Sequence, residues 1–192
     1  MDLIKLKEIA LSENIPIIED EGLEFLSGFI KEHTITKVLE IGSGIGYSAI
    51  GLALKNQNLK ITTIEKDSLR YQKAQNHIEL FQLGLRIKLI NGDALKVKLD
   101  EVFQLIFVDA AKSQTSRFIN HFYDSLKAGG YLIVDNLNFH GFTKQYPNIS
   151  NRNTRQLVGK IIRFKKEIVL DSRFEVLIKE DLGDGLAILK KL

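Results

Sequence analysis

Five short apolar runs, each separated from the next by a longer stretch, constrain this chain more than any other feature. They are Lys37–Ile41, Lys60–Glu65, Arg86–Ile90, Gln104–Asp109 and Tyr131–Asp135. Their length and β-branched content predict buried strands. Between them, Tyr47–Asn56, Ser68–Leu83 and Thr115–Lys127 carry helical spacing, the last closed by Gly129-Gly130. Strands alternating with helices predict a mostly parallel sheet covered on both faces. The C-terminal part breaks the alternation. A loop over 136–150 leads to a long helix from about Asn153 to Leu170. Two further strands, Arg173–Lys179 and Gly185–Lys190, are joined through Gly183-Asp184-Gly185. So short a connection makes them antiparallel neighbours. The expected class is α/β, seven strands with an antiparallel pair at the C-terminal end.

Length fits one domain: 192 residues bury a continuous core without a second one. The first 30 residues read as an N-terminal helical region, in which charges at Asp2, Lys5, Lys7, Glu8 and Glu13 interrupt the apolar residues. That pattern excludes a signal peptide, and no run is long enough to span a bilayer. A cytoplasmic protein is the expectation. The net charge of +3 selects no partner by itself. With no cysteine, thiolate ligands and thiol nucleophiles are excluded. His33, His77, His121 and His140 show no metal-ligand spacing, and no G-x-S-x-G elbow supports serine hydrolysis.

The first strand leads into Glu40-Ile-Gly42-Ser-Gly44-Ile-Gly46 and then into a helix. Glycines there permit positive φ and close approach of a ligand, and the helix start offers free N–H groups. A dinucleotide fingerprint needs its third glycine one residue later, where this chain has Tyr47. Glu65 ends the second strand, where an acid can accept from two ribose hydroxyls. Asp93, in Asn91-Gly-Asp-Ala94, follows the third strand and is placed to meet an adenine. The plain alternative is a tight strand-to-helix turn with no ligand.

Asp109 ends the fourth strand; Asp135 and Asn136 end the fifth. Two carboxylates and an amide oxygen at strand ends make a hard oxygen site suited to Mg²⁺ or Ca²⁺. Lys112, three residues after Asp109, can accept a proton if it projects into the same crevice. Each residue alone is commonly a turn former or a surface charge.

These motifs together resemble the cation-dependent O-methyltransferases, the family of the catechol and caffeoyl-CoA enzymes. The resemblance runs from about Ile15 to the C-terminus. It is carried by Leu39-Glu-Ile-Gly-Ser-Gly-Ile-Gly-Tyr-Ser-Ala49, Asn91-Gly-Asp-Ala94, Phe107-Val-Asp-Ala-Ala-Lys112, Val134-Asp-Asn136 and Gly183-Asp-Gly-Leu186. It implies a Rossmann-like methyltransferase fold. It implies S-adenosylmethionine held by Glu40, Gly42, Ser48, Glu65 and Asp93, with Asp109 counted among both its contacts and the metal ligands. It implies a divalent cation, usually Mg²⁺, on Asp109, Asp135 and Asn136, with Lys112 as the base. It also suggests a homodimer. Many members read Asp-Ala-Asp-Lys where this chain has Asp109-Ala-Ala-Lys112, a departure that bears on substrate choice.

Within the family, Ile15-Pro-Ile17, Asp109-Ala-Ala-Lys112 and Asp135-Asn-Leu-Asn-Phe-His-Gly141 are most similar to bacterial tRNA 5-hydroxyuridine methyltransferases. Those relatives carry a further N-terminal helical segment. Between Asn136 and Lys166 stand Lys144, Arg152, Arg155, Lys160, Arg163, Lys165 and Lys166, with no acid. Such a face suits a phosphate backbone, with Lys144, Arg152 and Arg155 as RNA contacts. The alternatives are a small catechol-like or hydroxycinnamoyl acceptor, which leaves the basic helix merely solvated, and a module that binds cofactor or RNA without catalysis.

Overall fold

A strand covered on both faces has to be apolar along its length, and the second to fifth residues of Lys37–Ile41 are all buried (β1). A computed structural model describes residues 1–192. The chain forms two compact units, Met1–Leu99 and Asp100–Leu192.

In the first unit, α1 (Leu3–Ser12) and α2 (Asp20–Glu32) precede β1. Asp2 caps α1 by accepting from the Lys5 amide at 2.8 Å. Then come α3 (Tyr47–Lys55), β2 (Lys60–Glu65), α4 (Ser68–Leu80) and β3 (Ile87–Asn91). The strands lie in the order β3-β2-β1, all parallel, with Glu40 opposite Thr63 and Glu65 opposite Asn91. The unit's core gathers Leu26, Ile30, Leu39, Ile41, Ile50 and Leu52.

The second unit starts with β4 (Phe103–Val108), a 3₁₀ turn (Lys112–Gln114) and α5 (Thr115–Phe122). It continues with β5 (Leu126–Val134), α6 (Phe142–Gln145), α7 (Arg152–Ile168), β6 (Phe174–Lys179) and β7 (Leu186–Lys191). The order is β4-β5-β7-β6. β4 and β5 are parallel, and β7 runs against both β5 and β6. The expected antiparallel pair is therefore present, and β7 is its reversed member.

Two elements differ from expectation. The helix ends at Phe122, not Lys127, and β5 starts at Leu126. The cause is pairing: Leu126 sits opposite Phe103, and a bulge shifts the register before Leu105–Tyr131 resumes it. Gly129-Gly130 belongs to that bulge and does not close a helix. Gly129 takes a φ of 70°, and a Cβ on Gly130 would stand 2.8 Å from the Lys127 carbonyl oxygen and 2.9 Å from that of Gln104. The loop over 136–150 also holds one short helix, α6, which sequence periodicity could not show in four residues.

This bulge gives a test. Gly130→Ala should cost about 1–3 kcal/mol because backbone oxygens must move, whereas Gly129→Ala, with open space around it, should cost about 1 kcal/mol from its left-handed backbone alone. Urea denaturation of the two variants measures the difference.

Candidate functional site

The glycine loop after β1 bends by left-handed backbone at alternate residues: Gly42 has φ 98°, Gly44 54° and Gly46 87°. Gly42 and Ser43 donate to the Ile64 carbonyl at 3.0 and 3.3 Å, and Gly46 donates to the Ser43 carbonyl at 2.8 Å. Gly46 is the N-cap of α3, and no side chain caps that helix. Its first turn thus keeps N–H groups available to an anionic ligand group.

Two acids secure this loop. Glu65 is buried; one carboxylate oxygen accepts from the Gly44 amide and the other from the Asp67 amide, both at 2.8 Å. Glu40 is 1 % exposed. It accepts from the Ser48 hydroxyl and the Thr63 hydroxyl, each at 2.5 Å. The sequence-predicted Glu40, Gly42, Ser48 and Glu65 are therefore brought together around one turn. Asp93 stands apart from their hydrogen bonds. It accepts from the Leu95 amide at 3.1 Å and pairs with Lys66 at 3.3 Å. The Leu95 amide, followed by Lys66, holds the Asp93 carboxyl below the usual range.

Three residues here escaped the sequence reading. His77 is buried on α4, with Nδ1 2.9 Å from the Ile45 carbonyl oxygen. A carbonyl only accepts, so Nδ1 carries the hydrogen and His77 ties α4 to the loop. Thr63 is fully buried within β2, a polar residue in a strand core that could have signalled a partner. Ser43 has a buried hydroxyl oxygen with no hydrogen-bond partner. An orphaned hydroxyl, an uncapped helix start and two carboxylates at one turn fit a ligand with both charged and hydroxyl groups.

The acidic strand ends of the second unit also come together. Lys112 Nζ is 3.0 Å from Asp109 Oδ1, with the two side chains 14 % and 21 % exposed. Asp135 is 5 % exposed, and its Oδ1 accepts from the Asn136 amide at 2.6 Å. Burial, and then the charge of Asp109, push its carboxyl up to about 7, with Lys112 opposing. Asn136 sits at φ 59° in the left-handed region. No group of three or more His, Cys, Asp or Glu side chains is arranged for a metal, but the expected set is two carboxylates and an amide. Two carboxylates that feel each other's charge, with one lysine paired to Asp109, leave excess negative charge in a largely buried place. That donor set fits a hard divalent cation held by Asp109, Asp135 and Asn136.

A separate cavity of about 350 Å³ in the first unit is lined by Leu3, Ile4, Lys7, Asp20, Leu23, Glu24, Tyr47 and Lys55. Its charges are already paired, Lys7 with Asp20 and Lys55 with Glu24. It has no charge left over for a ligand and does not compete with the loop as a site.

On α7, Val158, Ile161, Phe164 and Ile168 are buried. At about 100° per residue, Arg152, Arg155, Arg163 and Lys166 fall on the opposite side. Arg155 is partly committed, since its guanidinium donates to the Ile149 carbonyl at 2.7 Å. Lys165 pairs with Glu180. The ring of exposed Tyr146 lies 3.5 Å from where a Cβ of Gly159 would stand, between Arg155 and Arg163 along the same side.

The electrostatics of Asp135 can be tested in the metal-free protein. Asp109→Asn should bring the Asp135 carboxyl down toward its ordinary 3.8, and Lys112→Met should push it further up. Carbonyl-carbon NMR titration checks both. The raised value means the folded chain keeps a proton that the unfolded chain has released. Stability from this group therefore falls as pH rises from about 4 to about 7, and Asp109→Asn should flatten that fall.

The O-methyltransferase family model matches residues 3–192. A provisionally named caffeoyl-CoA O-methyltransferase of Arabidopsis thaliana is 31 % identical over 190 residues, 95 % of this chain and 80 % of that one. A provisionally named caffeoyl-CoA O-methyltransferase structure from Staphylococcus aureus has a TM-score of 0.93 and 30 % identity, covering 100 % of this chain and 93 % of that one. An O-methyltransferase structure from Bacillus cereus in complex with SAH shares the fold, with a TM-score of 0.83 and 23 % identity, covering 99 % and 90 %. This is the Rossmann-like methyltransferase fold that the resemblance implies. No helix is long and apolar enough to cross a membrane. The chain belongs to the O-methyltransferase family.

Proposed function

We propose that this enzyme transfers the methyl group of S-adenosylmethionine to a substrate hydroxyl with the help of a divalent cation, and that the acceptor is 5-hydroxyuridine at the tRNA wobble position, giving 5-methoxyuridine. The observation that carries the metal-assisted reading is the buried Asp135 carboxyl held up to about 7 beside Asp109.

In this reading the glycine loop with Glu40, Gly42, Ser48, Glu65 and Asp93 takes the cofactor. Glu65 uses two of its roughly four lone-pair positions on backbone amides, so two remain for a ribose diol. The substrate oxygen attacks the methyl carbon, forming a C–O bond as the C–S bond breaks. Asp109, Asp135 and Asn136 would hold the cation, which would supply Lewis acidity that lowers the pKa of the acceptor hydroxyl. Lys112, beside Asp109, would receive the hydroxyl proton in its neutral amine form.

The acceptor rests on α7 and the segment before it. Arg152, Arg163, Lys166 and Lys144 are exposed and basic. Tyr146 adds an exposed ring among them. Cations around an aromatic ring suit a single-stranded nucleic-acid loop, which is held by phosphate charge and base stacking. The second reading, a hydroxycinnamoyl or catechol-like acceptor, is favoured by the caffeoyl-CoA names of the relatives.

Nucleoside mass spectrometry of tRNA from cells lacking the gene separates the two. Loss of 5-methoxyuridine with accumulation of 5-hydroxyuridine is expected; an unchanged profile turns the assignment to the small acceptor. In vitro, chelation should abolish turnover and Mg²⁺ should restore it. Arg152→Glu with Arg163→Glu should lower tRNA methylation at least about tenfold and leave SAH affinity unchanged. Unaltered tRNA methylation in that double variant would remove the basic face from the argument.

A further inference from the structure

The Gly183-Asp184-Gly185 motif joins β6 to β7, and nothing above gives it a task. We propose that Asp184 is a positioning residue: its buried carboxylate holds the segment from Asn136 to Gly141 in the backbone conformation that presents Asn136. The inference deepens the cation reading above and rests on it for the role of Asn136.

Four residues of this segment are left-handed: Asn136 (φ 59°), Phe139 (48°), His140 (54°) and Gly141 (78°). Non-glycine residues seldom adopt that region, and a run of them persists only where the surroundings over-determine it. The over-determination comes from the 180–185 turn. Asp184 is 8 % exposed, and the His140 amide donates to both of its carboxylate oxygens, at 2.8 and 2.9 Å. The Leu137 amide donates to the Gly185 carbonyl at 2.9 Å, and the Asn138 amide donates to the Asp184 carbonyl at 2.7 Å. The Asn138 side-chain amide donates to the Glu180 carbonyl at 2.6 Å.

Gly185 takes a φ of 85°, and a Cβ there would stand 2.8 Å from the Asn138 side-chain nitrogen Nδ2 and 2.9 Å from its Cγ, so a side chain at 185 would be strained and would push Asn138 away. The segment is thus laid onto the turn residue by residue. Its one side-chain anchor on the His140 amide is the Asp184 carboxylate. The His140 ring does not do this work: it is 71 % exposed, with Nδ1 3.8 Å from Asp184. The bond to the backbone is what fixes the segment that follows Asp135.

Two substitutions divide bond from charge. Asp184→Asn keeps an oxygen able to accept the His140 amide and removes the charge. Asp184→Ala removes both. The readouts are hydrogen exchange of the His140 amide and Mn²⁺ binding to the otherwise metal-free protein, followed by electron paramagnetic resonance. SAH affinity serves as the control for folding. Wild type and Asp184→Asn should exchange slowly and bind Mn²⁺ within about threefold of each other, whereas Asp184→Ala should exchange at least about tenfold faster and bind Mn²⁺ at least about tenfold more weakly.

Should Asp184→Ala fail to fold, Gly185→Ala supplies the same test. It drives the segment off the turn with Asp184 intact, and it should speed His140 exchange and weaken Mn²⁺ binding. Asp184→Asn behaving like Asp184→Ala would overturn the proposal in favour of charge alone. Wild-type exchange and Mn²⁺ affinity in either alanine variant would overturn it outright. If wild type binds no Mn²⁺, the cation reading fails; the exchange order of the three proteins then still supports or overturns the role of Asp184.

Discussion

The Gly44 amide lies where the chain has left β1 and not yet entered α3, so neither element can offer it a carbonyl. Glu65, at the end of the neighbouring strand, accepts its hydrogen at 2.8 Å and that of Asp67 at the same distance. One carboxylate therefore fixes the outgoing turn of β1 and the outgoing turn of β2. The parallel register that sets Ile41 opposite Ile64 puts Glu65 within reach. His77 closes the other side of the loop through the Ile45 carbonyl. In the proposed reading, the side chain that meets the ribose is the one that shapes the loop beside it. Cofactor recognition and loop conformation then share a single group, and a change at Glu65 cannot alter one alone.

The buried acids of the two units are stabilised in different ways, and the difference bears on chemistry. Glu40 accepts from the Ser48 and Thr63 hydroxyls, and hydrogen bonds of this kind help an interior carboxylate tolerate burial. Asp135 receives one backbone amide and faces a second carboxylate, so burial and repulsion raise it to about 7. Lys112 offsets part of that charge through Asp109. An arrangement left this short of positive charge is poor as a structural network. In the proposed reading, a cation at this place completes the balance.

Much of this was legible in sequence because it depends on local pattern. Lys37–Ile41 and Lys60–Glu65 appear with the expected bounds, since each is an apolar run flanked by turn residues. The glycines, Glu40, Ser48 and Glu65 fall together because strand ends converge by topology. Gly129-Gly130 misled because glycines close helices and form bulges alike; only the Leu126–Phe103 pairing decides between them. Asp93 lies at its expected strand end, yet its side chain serves the Leu95 amide and Lys66. His77 and the contact of Asp184 with His140 could not be read at all. Each joins residues more than 30 positions apart through backbone atoms, which leave no trace in side-chain pattern.

The basic helix bears on acceptor choice only to the extent that its charges are free. Of the seven basic residues from Lys144 to Lys166, Arg155 donates to Ile149 and Lys165 pairs with Glu180. In the proposed reading, the remainder would give a polyanion orientation but no sequence information, because phosphate contacts position and base contacts specify. Specificity for one nucleoside would then arise at Asp135 and Asn136, where a cation would favour an acceptor with two adjacent oxygens. A small catechol satisfies that requirement as well as 5-hydroxyuridine does. What would separate the two readings is the need for Arg152, Arg163 and Lys166: a small acceptor would gain nothing from cations opposite the buried face of α7, whereas an RNA would gain its register.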